Sequence, residues 1–406
     1  MPSYRNVILG GGVAAGYAAQ TYVERGREPG SLCIVTAEER VPYDRPPLSK
    51  DVLAGGMDPE EAVIEEIGFY VEHDVEVVTG SRVTSIDVDG RTLETADGEA
   101  IGWGNLLVAT GSQVRRLDVP GEDRGNVFYL RTAGDAERIL GAAEDAATAV
   151  VVGGSFIGTE VAASLTDFGL DVTQVYREDR LLKDRPLTAE MSAFYERVFR
   201  EEGVDLRPGE TVARFEGRAR VSKVVLESGA EIEADLVVVG IGVVPDVEIF
   251  ERTAIEIDDG IVVDDRLRTA IDGIRAAGDV ARWPDAIFGR RRRVEHWDCA
   301  RAQGEYWARA MTGEDEAFDY LVYFFSDAFD LSWEYWGDIE GAERVVYRGT
   351  LDDGSFSAWW LAEDRVLAAF VLDRPDEERD AAQRLIRSGR SVDADRLADE
   401  EAPLPE

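Results

Sequence analysis

At 406 residues the chain is long enough for two or three domains with large cores. It carries 82 acidic against 44 basic residues, a net charge of −38, which excludes the basic footprint that nucleic-acid binding requires. No apolar run is long enough to span a membrane and no signal-peptide pattern is present, so we expect a cytoplasmic protein without a membrane span.

The acidic residues are spread along the whole chain. Only three of the basic residues are lysines, and these are Lys50, Lys183 and Lys223. Such a surface suits molar salt, where self-repulsion is screened, and it favours a salt-adapted, halophilic source. The alternative is an acidic surface that binds a basic partner.

The first predicted element is a strand, a tight glycine turn and a helix between positions 6 and 19. This context is the one that a dinucleotide-binding turn needs, because the helix N-terminus then faces a pyrophosphate. The residues expected to make the site are Gly10 and Gly12 in the turn, Ala15 and Gly16 in the helix, and Glu38, on a ribose hydroxyl, after the next strand. The alternative is a plain strand–turn–helix without a ligand.

The chain repeats this pattern from position 150 onward. Gly153, Ser155 and Gly158 stand at the corresponding turn positions, and Arg177 and Glu178 follow the next strand. Two such units in one polypeptide indicate two nucleotides held face to face. Glu178 would bind a 2′-hydroxyl and Arg177 a 2′-phosphate, so the pattern favours NADH and leaves NADPH as the alternative.

Other elements are predicted from local signals. Positions 50–80 are expected to be mostly helical, and Thr188 is expected to cap an amphipathic helix. A short strand should end in Gly278-Asp279, and an aromatic segment after about residue 318 should form a small antiparallel sheet. Residues 399–406 are expected to be disordered.

Six motifs in a fixed order carry a resemblance over nearly the whole chain. They occupy residues 10–19, 42–50, 128–131, 171–176, 293–296 and 329–333. Through them the sequence resembles the FAD-dependent pyridine nucleotide–disulfide reductase superfamily. Within it, the sequence is similar to the branch without a redox disulfide: ferredoxin reductases of oxygenase systems, apoptosis-inducing factor and, above all, monodehydroascorbate reductases.

The resemblance implies an α/β fold of the glutathione reductase kind, with two Rossmann-like dinucleotide-binding domains and a small C-terminal α+β interface domain. The expected boundaries are 1–115 and 245–318 for the FAD domain, 116–244 for the NAD(P)H domain, 319–396 for the interface domain and 397–406 for a tail. A monomer or a homodimer is expected.

The resemblance also implies roles for individual residues. FAD would be bound by Gly10, Gly12, Ala15, Glu38, Arg45, Lys50, Thr110, Gly111, Arg115 or its neighbour Arg116, Asp279, Glu295, His296 and Trp297. The nicotinamide nucleotide would be bound by Gly153, Ser155, Gly158 and Glu178. As the catalytic pair, Glu160 would lie near the nicotinamide and hold Lys50 beside the flavin N5, where an ammonium stabilises negative charge on the reduced ring.

Simpler explanations exist for three of these residues. Glu160 can serve as an acid near a helix N-terminus, Asp279 as a turn or cap residue, and Trp297 as a packing residue. No metal site is expected, because His73 and His296 do not combine with the two cysteines at any usual zinc spacing.

The implied activity is transfer of electrons from NADH through FAD to a one-electron or small-molecule acceptor, such as a ferredoxin-like protein, a quinone or a radical of the monodehydroascorbate type. Two departures from the plant monodehydroascorbate reductases make ascorbate radical a doubtful substrate. Their short cysteine-containing insertion after the lysine loop is missing, and their Tyr-Phe-Tyr-Ser reads Tyr-Phe-Phe-Ser at 323–326, although Arg301 is kept.

Two other functions stay open. Like apoptosis-inducing factor, the chain would act as a redox-sensing binding protein with slow turnover. Disulfide or peroxide reduction through a cysteine is disfavoured, because neither Cys33 nor Cys299 stands where the family's nucleophiles do.

Overall fold

A computed structural model describes residues 1–26, 28–183 and 186–405 of the chain. They divide into two compact units. The first comprises Met1–Arg45, Glu60–Gln113 and Val244–Tyr320, and the second comprises Pro46–Pro59, Val114–Val243 and Leu321–Glu406. The finer boundaries expected for three domains stay a prediction. Glu406, the last residue of the expected tail, lies outside the described residues.

The strands are numbered in chain order. They are β1 (Ser3–Leu9), β2 (Leu32–Val35), β3 (Glu76–Val78), β4 (Val83–Asp87), β5 (Thr92–Thr95), β6 (Ala100–Val108), β7 (Ser112–Val114), β8 (Val127–Tyr129), β9 (Thr148–Val152), β10 (Asp171–Tyr176), β11 (Asp205–Pro208), β12 (Val212–Gly217), β13 (Val221–Leu226), β14 (Glu231–Glu233), β15 (Leu236–Val239), β16 (Val243–Pro245), β17 (Ile261–Val262), β18 (Ile274–Ala276), β19 (Ala281–Asp285), β20 (Arg290–Arg292), β21 (Tyr323–Ala328), β22 (Leu331–Gly337), β23 (Arg344–Thr350), β24 (Ser355–Ala362) and β25 (Arg365–Leu372).

The helices are numbered in the same way. They are α1 (Val13–Glu24), α2 (Ile67–Glu72), α3 (Ala133–Ala143), α4 (Phe156–Asp167), α5 (Ala189–Glu201), α6 (Trp297–Met311), α7 (Asp376–Ser388) and α8 (Ala394–Ala398). Short 3₁₀ turns occur at Pro46–Ser49, Pro59–Ala62, Glu248–Phe250, Gly278–Val280 and Leu351–Asp353. No helix among the described residues is both long enough and apolar enough to cross a membrane.

The first unit is built on a mixed sheet in the order β3-β2-β1-β6-β5-β4, with β18 also paired to β6. Strand β1 pairs in parallel with β2 on one side and with β6 on the other. The carboxyl end of β1 is therefore a switch point, the place where open α/β sheets bind their ligands. Helices α1 and α6 pack closely because Gly304 has no side chain. A Cβ atom there would lie 2.3 Å from the carbonyl oxygen of Ala14.

The second unit repeats this architecture with a parallel sheet in the order β11-β10-β9-β15-β8. Strand β9 lies between β10 and β15, as β1 lies between its neighbours. Helix α5 begins as predicted, since the Thr188 hydroxyl accepts a hydrogen bond from the Met191 N–H. The three-stranded antiparallel sheet β12-β13-β14 belongs to the same unit.

The aromatic segment forms an antiparallel sheet in the order β21-β22-β25-β24-β23, as predicted. Its inner face is made of fully buried rings, with Trp333 stacked on Phe370 at 5.1 Å between ring centroids. Helix α7 covers β25, and helix α4 packs against β21. This last contact places Ser326 on β21 beside Glu160 on α4.

Two predictions about local structure are wrong. Positions 50–80 are mainly turns, with α-helix only in the six residues of α2 and a 3₁₀ turn at Pro59–Ala62, because Gly55, Gly56 and Pro59 interrupt a longer helix there. The tail expected to be disordered is held by Arg348, whose guanidinium donates to the carbonyl oxygens of Asp399, Glu400 and Ala402. Composition alone does not show that a buried donor lies beneath the tail.

Candidate functional site

The first glycine turn has the backbone geometry that its sequence predicts. Gly10 has φ = 119°, and a Cβ atom there would lie 2.1 Å from the Ala109 carbonyl oxygen, so no other residue fits. Gly12 is the N-cap of α1, and Ala15 is fully buried beneath the turn. Gly16 is expected to let the helix pack close to the strand, but its close neighbours are the side chains of Ile64 and Pro42.

The second turn reproduces this geometry. Gly153 has φ = 131°, and a Cβ atom there would lie 2.2 Å from the carbonyl oxygen of Gly240. A Cβ atom at Gly158 would lie 2.3 Å from the Gly153 carbonyl oxygen, which accepts a hydrogen bond of 2.8 Å from Gln174 Nε2. Gln174 is fully buried. Sequence reasoning gave it no role, although it lies in the motif at residues 171–176.

The N-termini of α1 and α4 fit anionic ligands. Neither helix has a side-chain hydrogen bond from its N-cap residue, Gly12 or Ser155, and neither has an acidic residue in its first turn. By contrast, α3, α5 and α6 have both a capping side chain and a first-turn acid. The six-residue helix α2 also lacks both features, but α1 and α4 each follow a strand and a glycine turn. Their positive ends therefore suit phosphate groups.

Glu38 and Arg45 form one cluster in the first unit. Arg45 Nη2 lies 2.7 Å from Glu38 Oε1, and the hydroxyl of Tyr43 donates a short hydrogen bond to the same carboxylate. A Cβ atom at Gly12 would lie 3.7 Å from Arg45 Nη2, so the guanidinium stands beside the glycine turn. The structure therefore brings a cation, a carboxylate and the free helix end together.

The Ala-Thr-Gly and Gly-Asp segments are joined by hydrogen bonds. Thr110 Oγ1 donates to the carbonyl oxygen of Asp246 at 2.8 Å, and the Asp246 N–H donates to the Gly111 carbonyl oxygen at 3.0 Å. Ser112 Oγ lies 3.2 Å from Asp279 Oδ2. Gln303, fully buried in α6, accepts from the Gly278 N–H at 2.7 Å and was also missed from sequence.

The segment that opens α6 is fixed by three contacts. His296 is the N-cap, and its Nδ1 accepts from the Asp298 N–H at 3.3 Å. Arg293 Nη1 lies 2.7 Å from Glu295 Oε1. Trp297 Nε1 donates to Asp44 Oδ1 at 2.5 Å.

Asp44 is a further residue that sequence reasoning missed. It also lies 3.3 Å from the Tyr17 hydroxyl, and the Tyr17 ring meets the Trp297 ring edge to face at 6.0 Å between centroids. Burial raises the pKa of the Asp44 carboxyl, an effect opposed by the hydrogen bonds from Trp297 and Tyr17.

In the second unit, Lys50 and Glu160 come together as expected. Lys50 Nζ lies 3.8 Å from Glu160 Oε1, and the Glu160 side chain is only 7% exposed. Burial raises the pKa of Glu160, and the Lys50 ammonium and the hydroxyls of Ser326 and Ser49 oppose that rise. Three elements build the pair, namely the turn Pro46–Ser49, helix α4 and strand β21.

The predicted binding residues just after β10 and β7 contact other side chains or backbone in the second unit. Arg177 Nε lies 2.6 Å from Glu178 Oε1. Arg115 donates to the carbonyl oxygen of Val243 at 3.1 Å, and Arg116 lies over the Tyr129 ring at 4.4 Å. The predicted FAD residues thus divide between the units, with Lys50 and Arg115 in the second and the others in the first.

Both cysteines are unsuited to redox relay. Cys33 in β2 and Cys299 in α6 are free and fully buried. Burial, with a smaller effect of Glu76, raises the pKa of the Cys33 thiol to about 12, and burial raises that of Cys299 well above its usual value. Nucleophilic thiols need access and a lowered pKa, and neither cysteine has them.

Comparison with known proteins identifies the family. The family described as pyridine nucleotide-disulphide oxidoreductase matches residues 4–304, and the family described as reductase C-terminal matches residues 323–406. Among curated relatives, monodehydroascorbate reductase 2 of Arabidopsis thaliana is 36% identical over 97% of this chain and 95% of its own length. Monodehydroascorbate reductase of Pisum sativum is 36% identical over 98% of each chain.

Solved structures agree with the fold. A chain of the covalent putidaredoxin reductase–putidaredoxin complex is similar with a TM-score of 0.93 and 32% identity, covering 100% of this chain and 98% of that one. The ferredoxin reductase for the CYP199A2 system from Rhodopseudomonas palustris has the same TM-score and 32% identity, over 98% of each chain. The predicted superfamily, fold class and cofactor pair of FAD with NAD(P)H are confirmed. The chain belongs to the pyridine nucleotide-disulphide oxidoreductase family and is an NAD(P)H-dependent flavoprotein oxidoreductase.

Proposed function

We propose that this chain transfers electrons from NADH to a small one-electron carrier of the ferredoxin type, without using a protein disulfide. The observation that carries the proposal is the Lys50–Glu160 pair, a buried carboxylate 3.8 Å from an ammonium within one unit. The burial of both thiols supports a route that bypasses cysteine.

The chemistry supplied by bound FAD is acceptance of hydride from the nicotinamide and release of electrons one at a time. The chain's residues bind and orient. The N–H groups at the start of α1 would hold the FAD pyrophosphate with Arg45, and Glu38 a ribose hydroxyl. Thr110, Gly111, Arg115, Asp279 and the residues Glu295, His296 and Trp297 would complete that site.

The second glycine turn would bind the nicotinamide nucleotide through Gly153, Ser155 and Gly158. Glu178 would accept from the 2′-hydroxyl of the adenosine ribose, and its ion pair keeps Arg177 occupied. A 2′-phosphate would meet the Glu178 carboxylate, so NADH is the preferred donor. Lys50, beside the Glu160 carboxylate, would place positive charge where bound flavin gains negative charge on reduction.

A ferredoxin-type acceptor fits this chain better than ascorbate radical. The plant enzymes have a tyrosine where this chain has Phe325, and the Phe325 ring lies against the Lys50 ammonium at 4.6 Å from its centroid. The ferredoxin reductase and the putidaredoxin reductase complex also match this chain over nearly its full length. Docking of an acidic carrier on so acidic a surface must depend on packing more than on charge attraction.

The test is an acceptor comparison at high salt. The purified protein should be yellow, with a flavin spectrum bleached by NADH, and a protein that takes up no FAD would refute the proposal. We expect the highest kcat/KM with a ferredoxin-type protein, compared with monodehydroascorbate radical, a quinone and ferricyanide. A preference for the ascorbate radical would contradict the proposed acceptor, and slow NADH oxidation with every acceptor would favour the redox-sensing alternative.

A further inference from the structure

Glu160 does not depend on Lys50 for its hydrogen bonds. Ser49 Oγ donates to Glu160 Oε2 at 2.6 Å, and Ser326 Oγ donates to Oε1 at 2.6 Å. The backbone of Ser49 is fixed in turn, because Ser164 Oγ donates to its carbonyl oxygen at 2.8 Å. Both carboxylate oxygens are therefore satisfied by hydroxyls on neighbouring elements.

The ammonium of Lys50 has a different direct partner. Lys50 Nζ makes a short ion pair with Asp327, while Glu160 stands off at 3.8 Å. Asp327 is the residue after Ser326 on β21, and its side chain is 42% exposed against 7% for Glu160. The expected lysine–glutamate pair is in fact a row of three charges, with a buried carboxylate, an ammonium and an outer carboxylate.

We propose that Asp327 is a positioning residue for the hydride-accepting reaction: it holds the Lys50 ammonium away from Glu160 and offsets its charge. This inference rests on the proposed role of Lys50 beside the flavin. Asp327 carries no such role in the sequence prediction, because its link to Lys50 joins positions 277 residues apart.

The consequence is a change in the ease of flavin reduction. Reduction adds negative charge to the bound ring, and the Asp327 carboxylate offsets the positive charge of Lys50 that would stabilise it. Replacing Asp327 by asparagine removes the outer carboxylate and leaves the Lys50 charge opposed only by Glu160. The reduced flavin is then stabilised, and the midpoint potential should rise.

The experiment compares midpoint potentials of FAD-loaded proteins by spectroelectrochemical titration at one pH and one KCl concentration. The variants are Asp327→Asn, Asp327→Glu and Asp330→Asn. The last is a control that removes the same charge as Asp327→Asn from another position. Asp330 is exposed and lies three positions after Asp327. Burial raises the pKa of Asp167, and the charge of Asp330 adds to that rise. Asp327→Ser provides a second removal of the charge if the asparagine variant fails to retain flavin.

For Asp327→Asn we expect an increase of about tenfold in the two-electron reduction constant, equal to about +30 mV. Asp327→Glu and Asp330→Asn should stay within about twofold of wild type, or about 9 mV. Equal shifts in Asp327→Asn and Asp330→Asn would overturn the proposal, because net charge alone would then explain them. An unshifted Asp327→Asn would overturn it as well. A wild-type protein without flavin would instead refute the proposed function.

Discussion

Lys50 is the residue whose replacement should most affect flavin reduction. In Lys50→Met the ammonium is lost, while Glu160 keeps its hydrogen bonds from Ser49 and Ser326. The Lys50 side chain is 14% exposed, and loss of one preorganised charge beside a reacting group slows reaction by at least about tenfold. We therefore expect the limiting rate of flavin reduction by NADH, measured by stopped flow, to fall by that factor or more.

The matched control is Lys223→Met. Lys223 pairs with Glu231 at 2.7 Å on an antiparallel sheet. Its described partners do not include Lys50 or Glu160. Its replacement should leave the rate of flavin reduction unchanged. Equal rates in the two variants would show that Lys50 has no part in the reaction.

Glu178 should decide the choice between NADH and NADPH. Glu178→Ala removes the acceptor for the 2′-hydroxyl and releases Arg177 from its 2.6 Å ion pair. A hydrogen bond to a charged group contributes about 1.5 kcal/mol, so the NADH to NADPH ratio of kcat/KM should fall by about tenfold. Asp205→Ala is the control, since Asp205 pairs with Arg207 within β11, the strand next to β10. An unchanged ratio in Glu178→Ala would refute the assignment.

The second glycine turn has no room for a side chain at Gly158. In Gly158→Ala the new Cβ atom would lie 2.3 Å from the Gly153 carbonyl oxygen and 3.5 Å from Gln174 Nε2, which donates to that oxygen. The turn must shift, so the KM for NADH should rise by about tenfold while the flavin spectrum is unchanged.

Gly141→Ala is the control for that substitution. Gly141 lies in α3, and a Cβ atom there would meet no neighbour within 4 Å. Alanine should therefore leave the KM unchanged and stabilise the helix by about 0.5–1 kcal/mol. If Gly158→Ala also leaves the KM unchanged, this turn does not bind NADH.

The C-terminal tail should stabilise the second unit through Arg348. This side chain is 7% exposed and is paired with Glu378, and a chain ending at residue 398 loses its acceptors on Asp399, Glu400 and Ala402. Unsatisfied buried donors cost about 1–3 kcal/mol. Urea unfolding should show a loss of that size. A chain ending at Ala402 keeps the acceptors and should be as stable as wild type; equal stability of both truncations would contradict this role.

Sequence patterns predicted those elements that depend on local signals. The turns at Gly10 and Gly153, the cap at Thr188 and the antiparallel aromatic sheet are each encoded within a few residues. The bond from Trp297 to Asp44 and the pair of Lys50 with Asp327 join segments more than 250 residues apart. Such partners depend on how distant segments pack, and a single sequence does not contain that information.

The charge of the whole molecule bears on its stability as well as on its partners. Even if every one of the 44 basic residues paired with an acid, 38 of the 82 acidic residues would have no basic partner (82 − 44 = 38). Many of the ion pairs are also largely exposed, such as Arg207–Asp205 with both side chains 50% exposed. Exposed pairs contribute about 0–1 kcal/mol each, so salt loses little stability by weakening them. The larger effect of salt is to screen the repulsion among the remaining acids.

We therefore expect the protein to become more stable as KCl is raised. The Debye length falls from about 10 Å at 0.1 M to about 3 Å at 1 M salt, which screens repulsion between acidic groups across the surface. Calorimetry of the FAD-loaded protein should show a rise in Tm of about 5 °C or more between 0.1 M and 2 M KCl. Sucrose at matched osmolality is the control, because it is excluded from the surface without screening charge. An equal rise in sucrose, or a Tm indifferent to KCl, would remove the case for salt adaptation.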